Sequence, residues 1–262
     1  MQFGVCCAPE DAAPIAAAGF AFIEIHVQTH LKSMEDDASF DAYLPRLRGA
    51  RPPCLAANCF VPPSLKITGP DADPARLAAY AATALTRARR AGLKTIVFGS
   101  GGARRVPEGF PRAAAWTQLL EFGAMVAALA AREGVTIVVE PLNRAECNIL
   151  TGVGETAGYV REVNHPSFCL LVDAYHWMKD DDSYEDLLAA GPLLRHVHIA
   201  TRASRLAPGG EPCDFSRFFG ALHQARYQGP VSIECSSVDF ASRAADYLAE
   251  LQKLAATPEI RA

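Results

Sequence analysis

Hydrophobic residues recur along the chain in two alternating patterns. Eight short runs rich in Val, Ile, Leu and Phe have the length and composition of β-strands that are covered on both faces. They are Phe3–Cys7, Phe22–Val27, Cys54–Cys59, Lys94–Gly99, Val135–Glu140, Phe168–Asp173, Arg195–Ile199 and Pro230–Cys235. Between them lie segments with helical spacing, in which residues such as Phe122, Met125 and Leu129 recur every three to four positions. The pattern therefore predicts parallel strands joined by helices.

The regular alternation of strand and helix also predicts that the strands form a closed barrel. A (β/α)8 TIM barrel, an α/β fold, occupies about 250 residues, and this chain has 262 without a linker-like or low-complexity segment. We therefore expect a single (β/α)8 TIM-barrel domain over residues 1–262. A doubly wound sheet is the alternative, but no glycine-rich dinucleotide-binding loop follows the first strand.

Composition and charge argue against several kinds of partner. The chain has 25 basic and 29 acidic residues and a net charge of −4, whereas binding to a phosphate backbone needs clustered Lys and Arg. The densest basic stretch, residues 87–90, lies on a predicted helix and is expected to be a solvated face. No signal peptide is evident, and no apolar run reaches the roughly 20 residues of a membrane span. We expect a cytoplasmic protein whose partners include neither a nucleic acid nor a membrane.

Four of the predicted strands carry an ionisable residue at or next to their carboxyl end. In a TIM barrel the carboxyl ends of the strands face one another across the active-site mouth, and a lone charge after a buried apolar run is costly to desolvate. The four residues are Glu140 on strand five, Asp173 on strand six, His198 on strand seven and Glu234 on strand eight. Three carboxylates and one imidazole predict a divalent-metal site suited to Mn²⁺, Mg²⁺ or Co²⁺, with Zn²⁺ less favoured.

Other residues near the strand ends carry weaker signals. His196 lies two positions before His198 and is expected to be a hydrogen-bonded core histidine, whereas His26 at the end of strand two has either a structural or a substrate-rim role. Arg104 and Arg105 follow a glycine cluster after strand four, and they are either an anion site or simply solvated. The eight cysteines include no Cys-x-x-Cys pair, so we expect reduced thiols.

Several motifs together resemble a known family. Four segments are similar to sequence motifs of the xylose isomerase-like barrels. They are EPLNRAECNIL beginning at Glu140, D-A-Y-H from Asp173 to His176, the pair His198-Ile199 and the pair Ile233-Glu234. This is the sugar phosphate isomerase/epimerase superfamily, and within it the chain most resembles the ketose 3-epimerases of the D-tagatose 3-epimerase type. The resemblance covers nearly the whole chain.

The resemblance implies roles for individual residues. The family's metal ligands fall on Glu140, Asp173, His198 and Glu234, with Mn²⁺ as the preferred ion and Mg²⁺, Co²⁺ and Zn²⁺ as alternatives. Glu140 and Glu234 would also transfer protons as acid and base, which makes them the catalytic pair. Three further positions match residues that contact the substrate, namely Glu146, His176 and Arg205, although Arg202 competes with Arg205 in this loop.

The function implied is a metal-dependent isomerase that epimerises a ketose at C3 through an enediolate. The same site chemistry also serves an aldose–ketose or hydroxypyruvate-type isomerase, or a lyase similar to inosose dehydratases. An abasic-site endonuclease is less favoured because the ends of strands three and four lack histidines, and a barrel that only binds is the remaining class. The expected partner is a small-molecule sugar or keto-sugar, and barrels of this family often form a homo-oligomer.

Overall fold

A closed barrel of parallel strands forms the centre of the molecule. In the computed structural model, which describes residues 1–237 and 239–256, eight strands follow one another around the barrel in chain order, and the last pairs with the first. They are β1 Gln2–Cys6, β2 Phe22–His26, β3 Cys54–Asn58, β4 Thr95–Phe98, β5 Thr136–Val139, β6 Phe168–Asp173, β7 Leu194–Ile199 and β8 Pro230–Ile233. The predicted (β/α)8 barrel is confirmed, and each predicted strand end lies within two residues of the observed one. The single-domain organisation over residues 1–262 stays a prediction.

Helices surround the barrel and extend its mouth. The α-helices in the described part of the chain are α1 Ala12–Ala18, α2 Asp37–Gly49, α3 Pro74–Ala91, α4 Gly101–Arg104, α5 Arg112–Glu133, α6 Val153–Val163, α7 Ala174–Lys179, α8 Tyr184–Ala190, α9 Ser216–Gln224 and α10 Phe240–Ala256. Local sequence sets their ends. At α3, for example, the side chain of Asp73 accepts a hydrogen bond from the backbone N–H of Arg76 at 3.0 Å, and Gly92 ends the helix with φ of 89°.

Two separate packing regions hold the strands. The large core lies between the barrel and the helices, while Val97, Val138, Cys169 and Leu171 form a small apolar cluster of their own. Since side chains alternate along a strand, the cluster comprises the inward-facing positions of β4 to β6. The inward positions of β2, β7 and β8 include a group of polar residues instead, namely Glu24, His196, His198 and Ser232. One side of the barrel interior is therefore apolar, and the other is lined by ionisable groups.

Helix α5 is unusually long and apolar. By length and composition alone, Arg112–Glu133 could cross a membrane. In this structure it packs beside α3, and Leu119, Phe122 and Val126 on its inner side are buried. The apolar composition is thus used to cover the barrel.

The expectation of a solvated arginine face is wrong for Arg87. This residue is 3% exposed, and its guanidinium donates to the backbone carbonyls of Leu31 and Glu35 at 3.2 and 3.1 Å. It also pairs with the carboxylate of Asp37 at 2.7 Å. A planar guanidinium with five N–H donors satisfies several buried acceptors at once. Arg87 therefore fastens the segment after β2 to α3.

The state of the cysteines in this structure is the one expected from the sequence, namely free thiols. All eight lie in the described part of the chain and are free thiols. Several are wholly or partly buried, and burial raises the pKa of the Cys54 thiol to about 12. Most of them pack in or against the apolar clusters.

Candidate metal centre

The alternation of side chains along the strands brings four ionisable residues to one end of the barrel interior. On β5, Val138 belongs to the inward-facing cluster, so Glu140, two residues further on, lies on the same side. The same two-residue step places Asp173, His198 and Glu234 inward at the carboxyl ends of β6, β7 and β8. Four strands that are consecutive in sequence thus contribute one group each.

These four side chains, called the acidic cluster below, are close enough to share an ion. One ligand atom from each lies within 4.8 Å of those of the others. Nδ1 of His198 is 3.2 Å from Oε1 of Glu140 and 3.6 Å from Oε2 of Glu234. Asp173 is 1% exposed, and its Oδ2 has no hydrogen-bond partner among the described residues. The structure therefore brings the predicted ligands together, while their role as ligands stays a prediction.

The charges of the acidic cluster are strongly perturbed. Burial, followed by the charges of Glu140 and Glu234, raises the pKa of Asp173 to about 8. For Glu234, burial acts in the same direction but is outweighed by His198 and Arg205, which lower its pKa to about 2. Burial opposes the charged form of His198, yet Glu24 and Glu234 raise its pKa well above the ordinary value. Crowded buried carboxylates of this kind need a cation to be ionised together.

The donor set fits a divalent cation. Three carboxylates and one imidazole provide hard oxygen ligands with one nitrogen, which suits Mn²⁺, Mg²⁺ or Co²⁺ more than a thiolate-binding metal. The absence of a hydrogen bond to Oδ2 of Asp173 among the described residues supports this fit, because a buried carboxylate oxygen without a hydrogen bond is otherwise costly.

The buried carboxylate of Glu24 on β2 contacts the acidic cluster from inside the barrel. Its role was not predicted from the sequence. Oε1 of Glu24 is 2.9 Å from Nε2 of His198, and its Oε2 is 2.8 Å from both Nε2 of His196 and Oγ of Ser232. His196 is fully buried, which confirms its prediction as a hydrogen-bonded core histidine. The contact with Glu24 turns Nδ1 of His198 toward Glu140 and Glu234. Carboxylate–histidine pairs of this kind orient metal ligands.

Two side chains hold Glu234 in place. Asn58 at the end of β3 donates to its Oε1 at 2.9 Å, and the guanidinium of Arg205 contacts its Oε2 at 2.5 Å. Arg205 also lies 3.6 Å from Oδ2 of Asp173 and stacks over the ring of Tyr175 at 4.6 Å. The arginine therefore ties the loop after β7 to the acidic cluster, so that both oxygens of Glu234 have fixed partners.

The structure separates the two arginines that competed for this position. Arg202 is half exposed and pairs with Asp181 at 3.1 Å. It lines a larger cavity of about 650 Å³ beside α7, which includes none of the acidic cluster. Of the two arginines, only Arg205 contacts the carboxylates of the acidic cluster.

Glu146 and His176 line the same cavity as the acidic cluster. This cavity, the mouth cavity, has a volume of about 290 Å³, and its polar lining includes Glu140, Glu146, His176, Arg205 and Glu234. His176 is 3% exposed. Burial, and then the charge of Arg205, lower its pKa to about 3, so its imidazole is neutral at physiological pH. Both residues lie where a bound molecule would meet them.

His26 has a structural contact, which is one of the two roles expected for it. It is part-exposed at the end of β2, and its Nδ1 accepts a hydrogen bond from the backbone N–H of Thr29 at 3.3 Å. It does not belong to the described lining of the mouth cavity. The side chain caps the helical turn Val27–Leu31.

The glycine-rich segment after β4 serves the geometry of Glu140. Neither alternative for Arg104, an anion site or a solvated side chain, is correct. It is fully buried and donates to the backbone carbonyls of Phe98, Glu140 and Leu150. The carbonyls of Phe98 and Leu150 also accept from backbone N–H groups, so the guanidinium adds a second hydrogen bond to each of them. A Cβ atom on Gly99 would collide with Oε2 of Glu140. Both residues therefore support the position of Glu140.

Arg105 is exposed, in agreement with the second alternative, a solvated side chain. Its guanidinium donates to the backbone carbonyl of Glu146 at 2.7 Å, and it is absent from the described lining of the mouth cavity. The arginine instead fixes the loop that carries Glu146.

The chain is similar to known proteins both in sequence and in fold. A 109-residue segment, 41% of this chain, is 38% identical to L-ribulose 3-epimerase from Methylomonas sp. (strain DH-1) and spans 38% of that protein. A 105-residue segment, 40% of the chain, is 34% identical to ketose 3-epimerase from Arthrobacter globiformis and spans 36% of it. The matched segments thus cover less than two fifths of either relative.

The likeness in fold extends over the whole length. A crystal structure of D-psicose 3-epimerase in the presence of D-fructose superposes with a TM-score of 0.83, at 19% identity, over 98% of this chain and 100% of that one. The family described as xylose isomerase-like TIM barrel matches residues 12–257. On the strength of this match and of the closed barrel, the chain belongs to the xylose isomerase-like TIM barrel family.

Proposed function

We propose that the protein is a divalent-metal-dependent sugar isomerase that epimerises a ketose at C3. The observation that carries the proposal is the convergence of two glutamates on one imidazole. Glu140 from β5 and Glu234 from β8 both approach Nδ1 of His198, at 3.2 and 3.6 Å. A reaction that removes a proton from one face of a carbon and returns one to the other needs two such groups. The similarity to ketose 3-epimerases supports the same assignment.

Glu140, Asp173, His198 and Glu234 would hold the metal, with Mn²⁺ as our preferred ion. When bound, it would polarise the substrate carbonyl and offset the negative charge of the enediolate. Glu24 would keep His198 turned toward the site through the 2.9 Å contact at Nε2. The ligand positions are set by the strand ends and do not depend on a flexible loop.

In the metal-free protein the pKa values of the two glutamates are shifted in opposite directions. Arg205 and His198 keep Glu234 ionised, whereas burial raises the pKa of Glu140. An ionised carboxylate accepts the proton from C3, and a protonated one returns it. With the other epimer as substrate, the two residues exchange these tasks. Glu146 and Arg205 at the cavity wall would bind sugar hydroxyls.

The mouth cavity favours a small sugar without phosphate. Its volume of about 290 Å³ is at the lower end of the roughly 300–1,000 Å³ typical of ligand sites. Arg205 is the one cationic side chain among the described residues that line it, and this guanidinium is already engaged by Glu234. A phosphorylated substrate would bring a dianion beside four carboxylates, and the described lining offers no free cationic side chain to receive it. We therefore propose an unphosphorylated ketose as the substrate.

The test is proton exchange in D₂O. A panel of ketoses, hydroxypyruvate and inososes is incubated with Mn²⁺-loaded protein and, as the control, with protein in excess chelator. The sugars are separated from the paramagnetic ion before NMR. Metal-dependent deuterium at C3 of a ketose, with appearance of its epimer, is the expected result.

Other outcomes would contradict the proposal and indicate a different activity. Deuterium at C1 or C2 would indicate an aldose–ketose or hydroxypyruvate-type isomerase, and loss of water would indicate a lyase. Metal binding without exchange in any sugar of the panel would favour a barrel that only binds.

A further inference from the structure

Asn143 lies directly behind the mouth cavity with its side-chain amide in one orientation. The residue is 2% exposed and sits in the loop after β5. Its Oδ1 accepts hydrogen bonds from the backbone N–H groups of Ala145 and Glu146, at 3.1 and 3.2 Å. A backbone N–H is always a donor, so the atom it faces must be the amide oxygen. The amide nitrogen of Asn143 must then be on the other side.

That nitrogen faces two acceptors. Nδ2 of Asn143 donates to Oε1 of Glu146 at 2.8 Å and lies 2.8 Å from Nδ1 of His176. The backbone N–H of Asn143 also points at Nδ1 of His176, at 3.2 Å. Two N–H donors therefore converge on one ring nitrogen, which accepts only through a lone pair. Nδ1 of His176 carries no proton.

The other nitrogen of the ring faces the site. A neutral imidazole with a lone pair on Nδ1 has its proton on Nε2. Nε2 of His176 is buried, has no hydrogen-bond partner among the described residues, and lies 3.7 Å from Oδ2 of Asp173. Its N–H is thus directed at the acidic cluster with no acceptor of its own.

We propose that Asn143 is a positioning residue that holds His176 as the Nε2–H tautomer, so that His176 donates a hydrogen bond to a substrate oxygen and does not take up a proton. This inference rests on the proposed function for the identity of the acceptor, a sugar oxygen that gains negative charge in the reaction. Donors aimed at such an oxygen, and fixed before the reaction, stabilise the transition state. The same amide fixes Glu146, so a single buried side chain aligns two walls of the cavity.

The tautomer is measured by ¹⁵N NMR of the histidine rings in metal-free protein at neutral pH. The chain has 7 histidines, and His176→Gln identifies the signals of residue 176. We expect an unprotonated Nδ1 and a protonated Nε2 in the native protein. Asn143→Asp places a carboxylate oxygen against Nδ1 and should protonate that nitrogen. Asn148→Ala is the matched control, because its amide, in the same loop, bonds only to the backbone of Val106 among described residues.

A protonated Nδ1 in the native protein, or an Nδ1 that stays unprotonated in Asn143→Asp, would overturn the role of Asn143. These spectra are recorded without substrate, so failure of the proposed sugar chemistry would leave the tautomer result intact.

The donor role is tested by turnover. Glutamine reproduces the pattern of His176, since its oxygen accepts from Asn143 and its nitrogen donates into the cavity, whereas leucine removes both. His176→Gln should therefore keep most of kcat, while His176→Leu should lose on the order of 100-fold. Equal loss in both variants would mean that His176 transfers a proton, which contradicts the inference.

Discussion

Replacing Glu24 with glutamine should weaken metal binding without unfolding the barrel. Glu24 accepts from three groups, namely His198 and His196 through their Nε2 atoms and Ser232 through its hydroxyl. Glutamine has nearly the same shape but only one acceptor oxygen. Whichever way its amide turns, an N–H group will face a neighbour that previously donated. If the amide oxygen stays with His196 and Ser232, His198 no longer has the acceptor that turns Nδ1 toward the acidic cluster.

The size of this effect follows from the role of the carboxylate. Removal of a carboxylate that orients a metal-binding histidine typically costs 10- to 100-fold in metal affinity, which is about 1.4 to 2.7 kcal/mol. Isothermal titration of Mn²⁺ into the metal-free protein, at one pH and ionic strength, measures the change directly. Circular dichroism and thermal denaturation confirm that the barrel remains folded.

Ser232→Ala is the matched control for Glu24→Gln. The serine hydroxyl donates to Oε2 of Glu24 at 2.8 Å, and its effect on His198 is only indirect, through that carboxylate. The control should therefore bind Mn²⁺ within a few-fold of the native protein. Native affinity in a folded Glu24→Gln variant would refute the argument that Glu24 orients His198.

Three further predictions concern the same site. Gly99→Ala should weaken Mn²⁺ binding in a titration, because its methyl group would displace the carboxylate of Glu140; unchanged affinity would contradict the close approach. The folded protein holds the proton of Asp173 more tightly than the unfolded chain, with a pKa of about 8 against an ordinary value of 3.8. Thermal denaturation in chelator should accordingly show the stability of the native protein falling relative to that of Asp173→Asn as pH rises between these values, and a relative rise would be inconsistent. Arg205→Met should slow sugar deuterium exchange roughly 10- to 100-fold because Glu234 would lack its charged partner, whereas Arg202→Met should leave the rate unchanged.

The parts of the structure that could be predicted from sequence are those set by local pattern. Eight apolar runs alternating with helical segments allow few architectures at this length, so the barrel was predictable. Glu140, Asp173, His198 and Glu234 were identifiable because each ends an apolar strand, and equivalent ends of parallel strands meet at one mouth.

Other features depend on contacts between distant segments. Glu24 was missed because only strand ends were considered, although a carboxylate inside the apolar run Phe22–His26 was a usable signal. Asn143 and His176 are 33 positions apart, and no spacing rule pairs them. The expectation for Arg104 was wrong because an arginine is usually solvated, whereas here its guanidinium is buried among loop carbonyls from three distant segments that accept its N–H groups.

Metal-dependent proton exchange at C3 by Glu140 and Glu234 determines where deuterium appears in the first product formed. A ketose from the panel is incubated in D₂O with Mn²⁺-loaded protein, and the reaction is stopped after a small fraction has turned over. We expect a C3 epimer with one deuterium at C3 and none at C1, and no such product from Glu140→Gln or Glu234→Gln. Deuterium at C1, or epimer formation that persists in both variants, would contradict this mechanism.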